Sequence, residues 1–149
     1  MIKPVIDGHI SSEYGYRVIQ LPGQTVPTKN FHCGIDIGAP ISDKAPKIVS
    51  PIRGSLYLFG FSKSFGNRIW IHITEGEYKD WYLVLAHMDS LNPALKAGQI
   101  IEEGTFLGIM GNTGMSLARH THLELRDNPS SSETEEHCKN PELIRKLFP

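Results

Sequence analysis

A chain of 149 residues with 40% hydrophobic content and both charge signs mixed can bury one core, so disorder is excluded as the starting point and a single domain over 1–149 is expected. A formal net charge of -1 leaves no broad attraction to nucleic acid or to an anionic membrane. No apolar run reaches the roughly 20 residues of a spanning helix, and Met1-Ile2-Lys3-Pro4 is not followed by the apolar stretch of a secretion signal, so no membrane span and no signal peptide are read here.

Fourteen glycines and ten prolines, spread among many Ile, Val, Tyr, Phe and Trp residues, predict a mostly β chain of short strands and tight turns. Glu13 to Gln20 reads as a first strand, and Leu21 to Asn30, with Pro22, Gly23 and Pro27, as a loop. Ile48 to Phe59 and Arg68 to Thr74 run in strand fashion, broken by Gly60 and by the turn Ser64-Phe65-Gly66-Asn67. Trp81 to Met88 is a further strand with His87 near its end. Glycines at 98, 104, 108, 111 and 114 then separate short segments and read as hairpin punctuation as readily as anything functional. Thr121 to Arg126 forms a last strand carrying His122, and Asp127 to Lys139 reads as a solvated loop. Asn140-Pro141-Glu142 starts a short C-terminal helix whose Leu143, Ile144 and Leu147 form an apolar stripe.

Three segments far apart in the chain carry the chemistry: His32-Cys33-Gly34-Ile35-Asp36, Leu85-Ala86-His87 and His120-Thr121-His122. They hold four of the seven histidines, and imidazole with carboxylate is what zinc takes in a tetrahedron that leaves one corner for water. On a strand, residues i and i+2 share a face with Cα atoms about 6.6 Å apart, so His120 and His122 can face one cleft. His32 and Asp36 would lie about 13 Å apart on a regular strand, too far to share an ion, so the backbone must bend, with Gly34 or Gly38 as the place for a bulge. Cys33 and Cys138 allow at most one bridge, and Cys33 is expected to be a buried structural residue. Trp70 and Trp81 are expected in the core, while Arg17 and Asn67 are read equally as cleft or as surface and turn residues.

In combination these residues resemble the lysostaphin and LytM type of zinc metallopeptidase. The resemblance runs from Ser12-Glu13-Tyr14-Gly15-Tyr16-Arg17 through His32-x-Gly34-x-Asp36, Ala45-Pro46 to Gly54, Gly66-Asn67 and Ala86-His87 to Gly111-Asn112-Thr113-Gly114-Met115-Ser116 and His120-x-His122. It implies a compact antiparallel β-sheet domain of the duplicated hybrid motif type. It also implies zinc as cofactor, His32, Asp36 and His122 as its ligands, and His87 and His120 as an uncoordinated catalytic pair. Relatives mainly cut peptide cross-links of bacterial cell walls, so a peptidoglycan peptide substrate and a site of action in the envelope or outside the cell are implied as well. Local departures, Leu85, Leu117-Ala118-Arg119 and Thr121, bear on substrate preference.

The expected reaction is amide hydrolysis by zinc and a histidine pair, histidine being suited to proton transfer near neutrality by its ordinary pKa of about 6.5. One rival is a catalytically silent zinc-binding recognition module of the same fold, against which both spare histidines argue. Another is a phosphate-carrying domain of the sugar-uptake type, against which Asp36 argues. Oligomeric state is not legible in the chain.

Overall fold

The computed structural model describes residues 1–129, 136–139 and 146. Its strands in chain order are β1 (His9–Ser12), β2 (Gly15–Ile19), β3 (Thr28–His32), β4 (Gly34–Gly38), β5 (Lys47–Val49), β6 (Gly54–Ser62) and β7 (Gly66–His72). These are followed by β8 (Tyr82–Met88), β9 (Ser90–Leu91), β10 (Ile100–Ile101), β11 (Phe106–Ile109), β12 (His120–Arg126) and β13 (Cys138–Lys139). No helix forms among the described residues, and the helix expected from Asn140 onward lies outside them.

An eight-stranded antiparallel sheet runs β1-β4-β12-β8-β7-β6-β10, with β13 added to β12. Period-two alternation gives it two faces. One presents Ile35 and Ile37, Leu123 and Leu125, Leu83 and Leu85, and Ile69 and Ile71, all essentially inaccessible to solvent. Each contributes about 1.5–3 kcal/mol by leaving water. A second, three-stranded sheet, β5-β11-β9, brings Ile48 and Leu107 to the same core. The other face of the large sheet carries the polar side chains of β4 and β12, and the separate β2-β3 hairpin stands beside it.

Several expected elements are corrected by this arrangement. The first predicted strand begins at Gly15 rather than Glu13 and is preceded by β1, and the loop predicted to Asn30 already turns into β3 at Thr28. The run Ile48 to Phe59 is not one strand: Ser50 to Arg53, with Pro51, carries the chain from the small sheet to the large one. Gly60 does not break a strand but lies within β6 at φ 128°.

The bend between His32 and Asp36 falls at Cys33, where the chain leaves the β2-β3 hairpin and enters the large sheet, rather than at a bulge on Gly34 or Gly38. Gly34 serves close approach instead, since a Cβ there would overlap the Leu123 carbonyl of β12. Cys33 is buried, as expected, and it is joined to Cys138 in a disulfide that ties β13 to this junction.

Candidate active site

Pairing of β12 with β4 on one side and β8 on the other sets His122 opposite Asp36 and opposite Ala86, the residue before His87. His32 enters from the end of β3. The three distant segments therefore meet on the polar face, and His32, Asp36, His87, His120 and His122 all line one cavity of about 930 Å³.

His32 and His122 have their ring orientation fixed from behind. The Nδ1–H of His32 donates to the Glu13 carbonyl at 2.7 Å, so Nε2 faces the cavity as an acceptor. The Nε2–H of His122 donates to Glu124 Oε1 at 2.9 Å and turns Nδ1 inward. His32 Nε2 lies 3.0 Å from His122 Nδ1 and 3.1 Å from Asp36 Oδ1, while His122 Nδ1 lies 2.8 Å from the same oxygen. Among the described residues this is the group whose ligand atoms all fall within 4.8 Å of one another and could hold a metal ion.

The electrostatics ask for a cation at that point. His32 Nε2 and Asp36 Oδ1 are both acceptors, and they face each other with only the His122 Nδ1 proton to share. Burial disfavours charge on His122, but its hydrogen bonds to Asp36 and Glu124 prevail and raise its pKa to about 9. Burial likewise disfavours ionised Asp36, yet the His120, His122 and His32 rings gathered around its carboxylate hold it well below the ordinary carboxylate range. Two imidazole nitrogens and a carboxylate oxygen, each oriented by its own supports, fit zinc in type and number.

A pH dependence follows for the metal-free protein. His122 is raised from 6.5 in the unfolded chain to about 9, so the stability it contributes is complete below pH 6.5 and lost as pH rises through 9. The thermal midpoint of chelator-treated protein is expected to fall across that window and to stay level when zinc is added, because the metal takes the proton's place. A midpoint that does not move between these pH values without metal would contradict the protonated state of His122.

His87 and His120 stand beside this group, with ring centroids 4.8 Å apart. His120 donates from Nδ1 to the Ala118 carbonyl at 2.8 Å, and its Nε2 lies 3.4 Å from Asp36 Oδ1. His87 donates from Nδ1 to the Thr113 carbonyl at 2.7 Å, and burial pushes its pKa down to about 4 against the pull of that carbonyl. Each ring thus keeps Nε2 for the cavity.

The backbone of His87 is held in the left-handed region at φ 64°, a conformation costing about 1–3 kcal/mol for a non-glycine residue. Its amide donates to the Phe65 carbonyl, and the next carbonyl, Met88, accepts from Thr113 Oγ1 at 2.6 Å and Asn67 Nδ2 at 3.0 Å. Gly66 and Gly114 lie backbone on backbone at this joint, where a Cβ on either would overlap the other segment. Asn67 is therefore a clamp on the His87 bend, and Gly114 belongs to it too rather than being plain hairpin punctuation.

Sequence reasoning missed Glu124 and Arg126. Arg126 Nε donates to Glu124 Oε2 at 2.6 Å, and the guanidinium lies 5.1 Å from the buried Trp70 ring. Burial opposes ionisation of Glu124, but His122 and Arg126 together lower its pKa. The signal was present as period two: His120, His122, Glu124 and Arg126 alternate with Thr121, Leu123 and Leu125, which places four polar side chains in one row. Arg17, undecided from sequence, lines the cavity and reaches Asp36 Oδ2 at 3.3 Å.

The chain is similar to known proteins in sequence and in fold. DD-carboxypeptidase/endopeptidase Mpg of Neisseria meningitidis serogroup B is 28% identical over 127 residues, which is 85% of this chain but 26% of Mpg. The chain thus spans about a quarter of the length of the curated relatives it matches. Helicobacter pylori Csd3 superposes with a TM-score of 0.66 at 26% identity, covering 94% of this chain and 33% of Csd3. The catalytic domain of the antimicrobial peptidase lysostaphin from Staphylococcus simulans shares the fold, with a TM-score of 0.73 at 22% identity over 95% of this chain and 94% of that domain. The family model of peptidase family M23 matches residues 30–134, from within the strand that delivers His32 to beyond the one that carries His120 and His122, and the chain belongs to that family.

Proposed function

We propose that this chain is a zinc-dependent endopeptidase that hydrolyses peptide cross-links of bacterial cell-wall peptidoglycan, with residues 1–149 working as one metallopeptidase domain. The observation that carries the reading is the convergence of His32 Nε2, His122 Nδ1 and Asp36 Oδ1 beside two further imidazoles whose Nε2 atoms are left to the cavity. In this reading His32, Asp36 and His122 hold the metal, and His87 and His120 do the proton work.

Zinc at such a site polarises a carbonyl and lowers the pKa of its water toward about 7. The chain's own contribution is placement. With Nδ1 of His87 tied to Thr113 and Nδ1 of His120 tied to Ala118, each ring has one working atom, Nε2, and a fixed tautomer. One of the pair would take the proton of the attacking water on its Nε2, and that same proton, carried by this ring or passed to its neighbour's Nε2, would go on to the leaving nitrogen. Burial keeps His87 neutral at pH 7, ready to accept. Retention of both rings favours hydrolysis over a silent recognition module.

The relatives support the substrate class by their activities, Mpg being a DD-carboxypeptidase/endopeptidase. The Cys33–Cys138 disulfide suits an oxidising compartment, which accords with action in the envelope or outside the cell. Incubation of the zinc-loaded chain with defined cell-wall peptides, followed by mass spectrometry, is expected to show cleavage of a peptide bond within the cross-link. A chelator should stop it and added zinc restore it. Intact peptides in the presence of stoichiometrically bound zinc would turn the reading toward the recognition module.

A further inference from the structure

Beyond the candidate ligands the cavity continues toward β1, where Arg17, Ser12 and His9 line it. Arg17 uses Nη1 for Ser12 Oγ at 2.6 Å and Asp36 Oδ2 at 3.3 Å, and Nε for Asn30 Oδ1 at 3.4 Å. A guanidinium has five N–H donors, and the two on Nη2 make no hydrogen bond to a described residue. The side chain is 34% exposed, so a solute can reach it.

His9 comes to the same floor through the sheet register. Gly38 pairs with His9 on one side and with His120 on the other, and it has no side chain to separate them. The His9 ring occupies that space: a Cβ at position 38 would lie 2.8 Å from its Cε1 and Nε2.

The charges in the cavity are otherwise answered. Glu124 is matched by Arg126, and Arg119 on the opposite wall is paired with Asp89 Oδ2 at 2.7 Å. Asp36 is shared among His32, His120, His122 and Arg17. Arg17 meets Asp36 Oδ2 through Nη1 alone, which leaves Nη2 without an anion among the described residues.

We propose that Arg17 binds a free carboxylate of the substrate, so that the peptides cut here carry a terminal or side-chain carboxylate close to the scissile bond. The inference rests on the peptidase reading above and narrows its substrate class. The Nη2 end offers a carboxylate oxygen a charge-assisted hydrogen bond, which a neutral carboxamide does not receive at the same strength.

The test uses two peptide pairs, C-terminal acid against amide and side-chain Glu against Gln. Binding is measured to the metal-free chain, and kcat/KM on the zinc-loaded chain. One acid is expected to bind about tenfold more tightly than its amide, and the pair that shows the difference identifies the carboxylate. Arg17→Gln should bring that ratio to about one, whereas loss of a merely structural support for Asp36 would weaken acid and amide alike and keep the ratio. Equal binding and equal cleavage of acid and amide would overturn the carboxylate site while upholding the peptidase. Selective binding of the acid with no cleavage of any peptide would do the reverse.

Discussion

Replacing His120 with alanine is expected to lower kcat for peptide hydrolysis by about 10²- to 10⁴-fold, the range of a lost general acid or base, while zinc stays bound in full. The ring's anchoring bond is to the Ala118 carbonyl of its own loop, and its Nε2 approaches Asp36 at 3.4 Å without belonging to the close trio. His122→Ala should instead lose the metal together with the activity, because it removes one of three converging donors and leaves the Glu124 carboxylate with Arg126 alone. Metal analysis of the two purified variants beside a peptide-cleavage assay separates the outcomes. Equal zinc loss in both would overturn the division between holding the metal and moving protons.

Glu124→Ala should be nearly as damaging although Glu124 belongs neither to the proposed metal ligands nor to the catalytic pair. Its carboxylate bridges His122 Nε2 at 2.9 Å and Arg126 Nε at 2.6 Å, and it is 1% exposed. Without it His122 loses the acceptor that fixes its tautomer, for which about a 10- to 100-fold fall in zinc affinity is expected. Arg126, fully buried, loses its ion pair with Glu124, which lowers the stability of the metal-free fold. Chemical denaturation of the metal-free protein reads the second effect and competition with a chelating dye reads the first. Glu124→Gln should recover part of the affinity, since an amide oxygen still accepts from His122, and less of the stability, since the charge facing Arg126 is gone. Wild-type affinity in Glu124→Ala would mean that the orientation of His122 comes from elsewhere.

The histidines and Asp36 were legible because their spacing is a local property: period two puts His120 and His122 on one face whatever the rest of the chain does. Their meeting was expected from the residue types and from the resemblance together, while nothing in the residues states that β12 lies between β4 and β8. The bend between His32 and Asp36 was anticipated but misplaced, because the glycine at 34 answers a neighbouring carbonyl rather than a turn. The backbone acceptors that orient two rings, Glu13 for His32 and Thr113 for His87, carry no side-chain signal at all. The break within Ile48 to Phe59 had a cue in Pro51, but apolar continuity on both sides hid the passage from one sheet to another.

Because His120, His122, Glu124 and Arg126 follow one another along a single strand hydrogen-bonded on both flanks, the centre has no tolerance for a shift in reading frame of the pleat. One residue inserted or deleted inside β12 would drive all four polar groups into the hydrocarbon layer and lift Thr121, Leu123 and Leu125 into the solvent-facing trough. Length changes in this chain are therefore confined to the surrounding loops, which leaves loop remodelling as the route by which such a scaffold can acquire a new appetite.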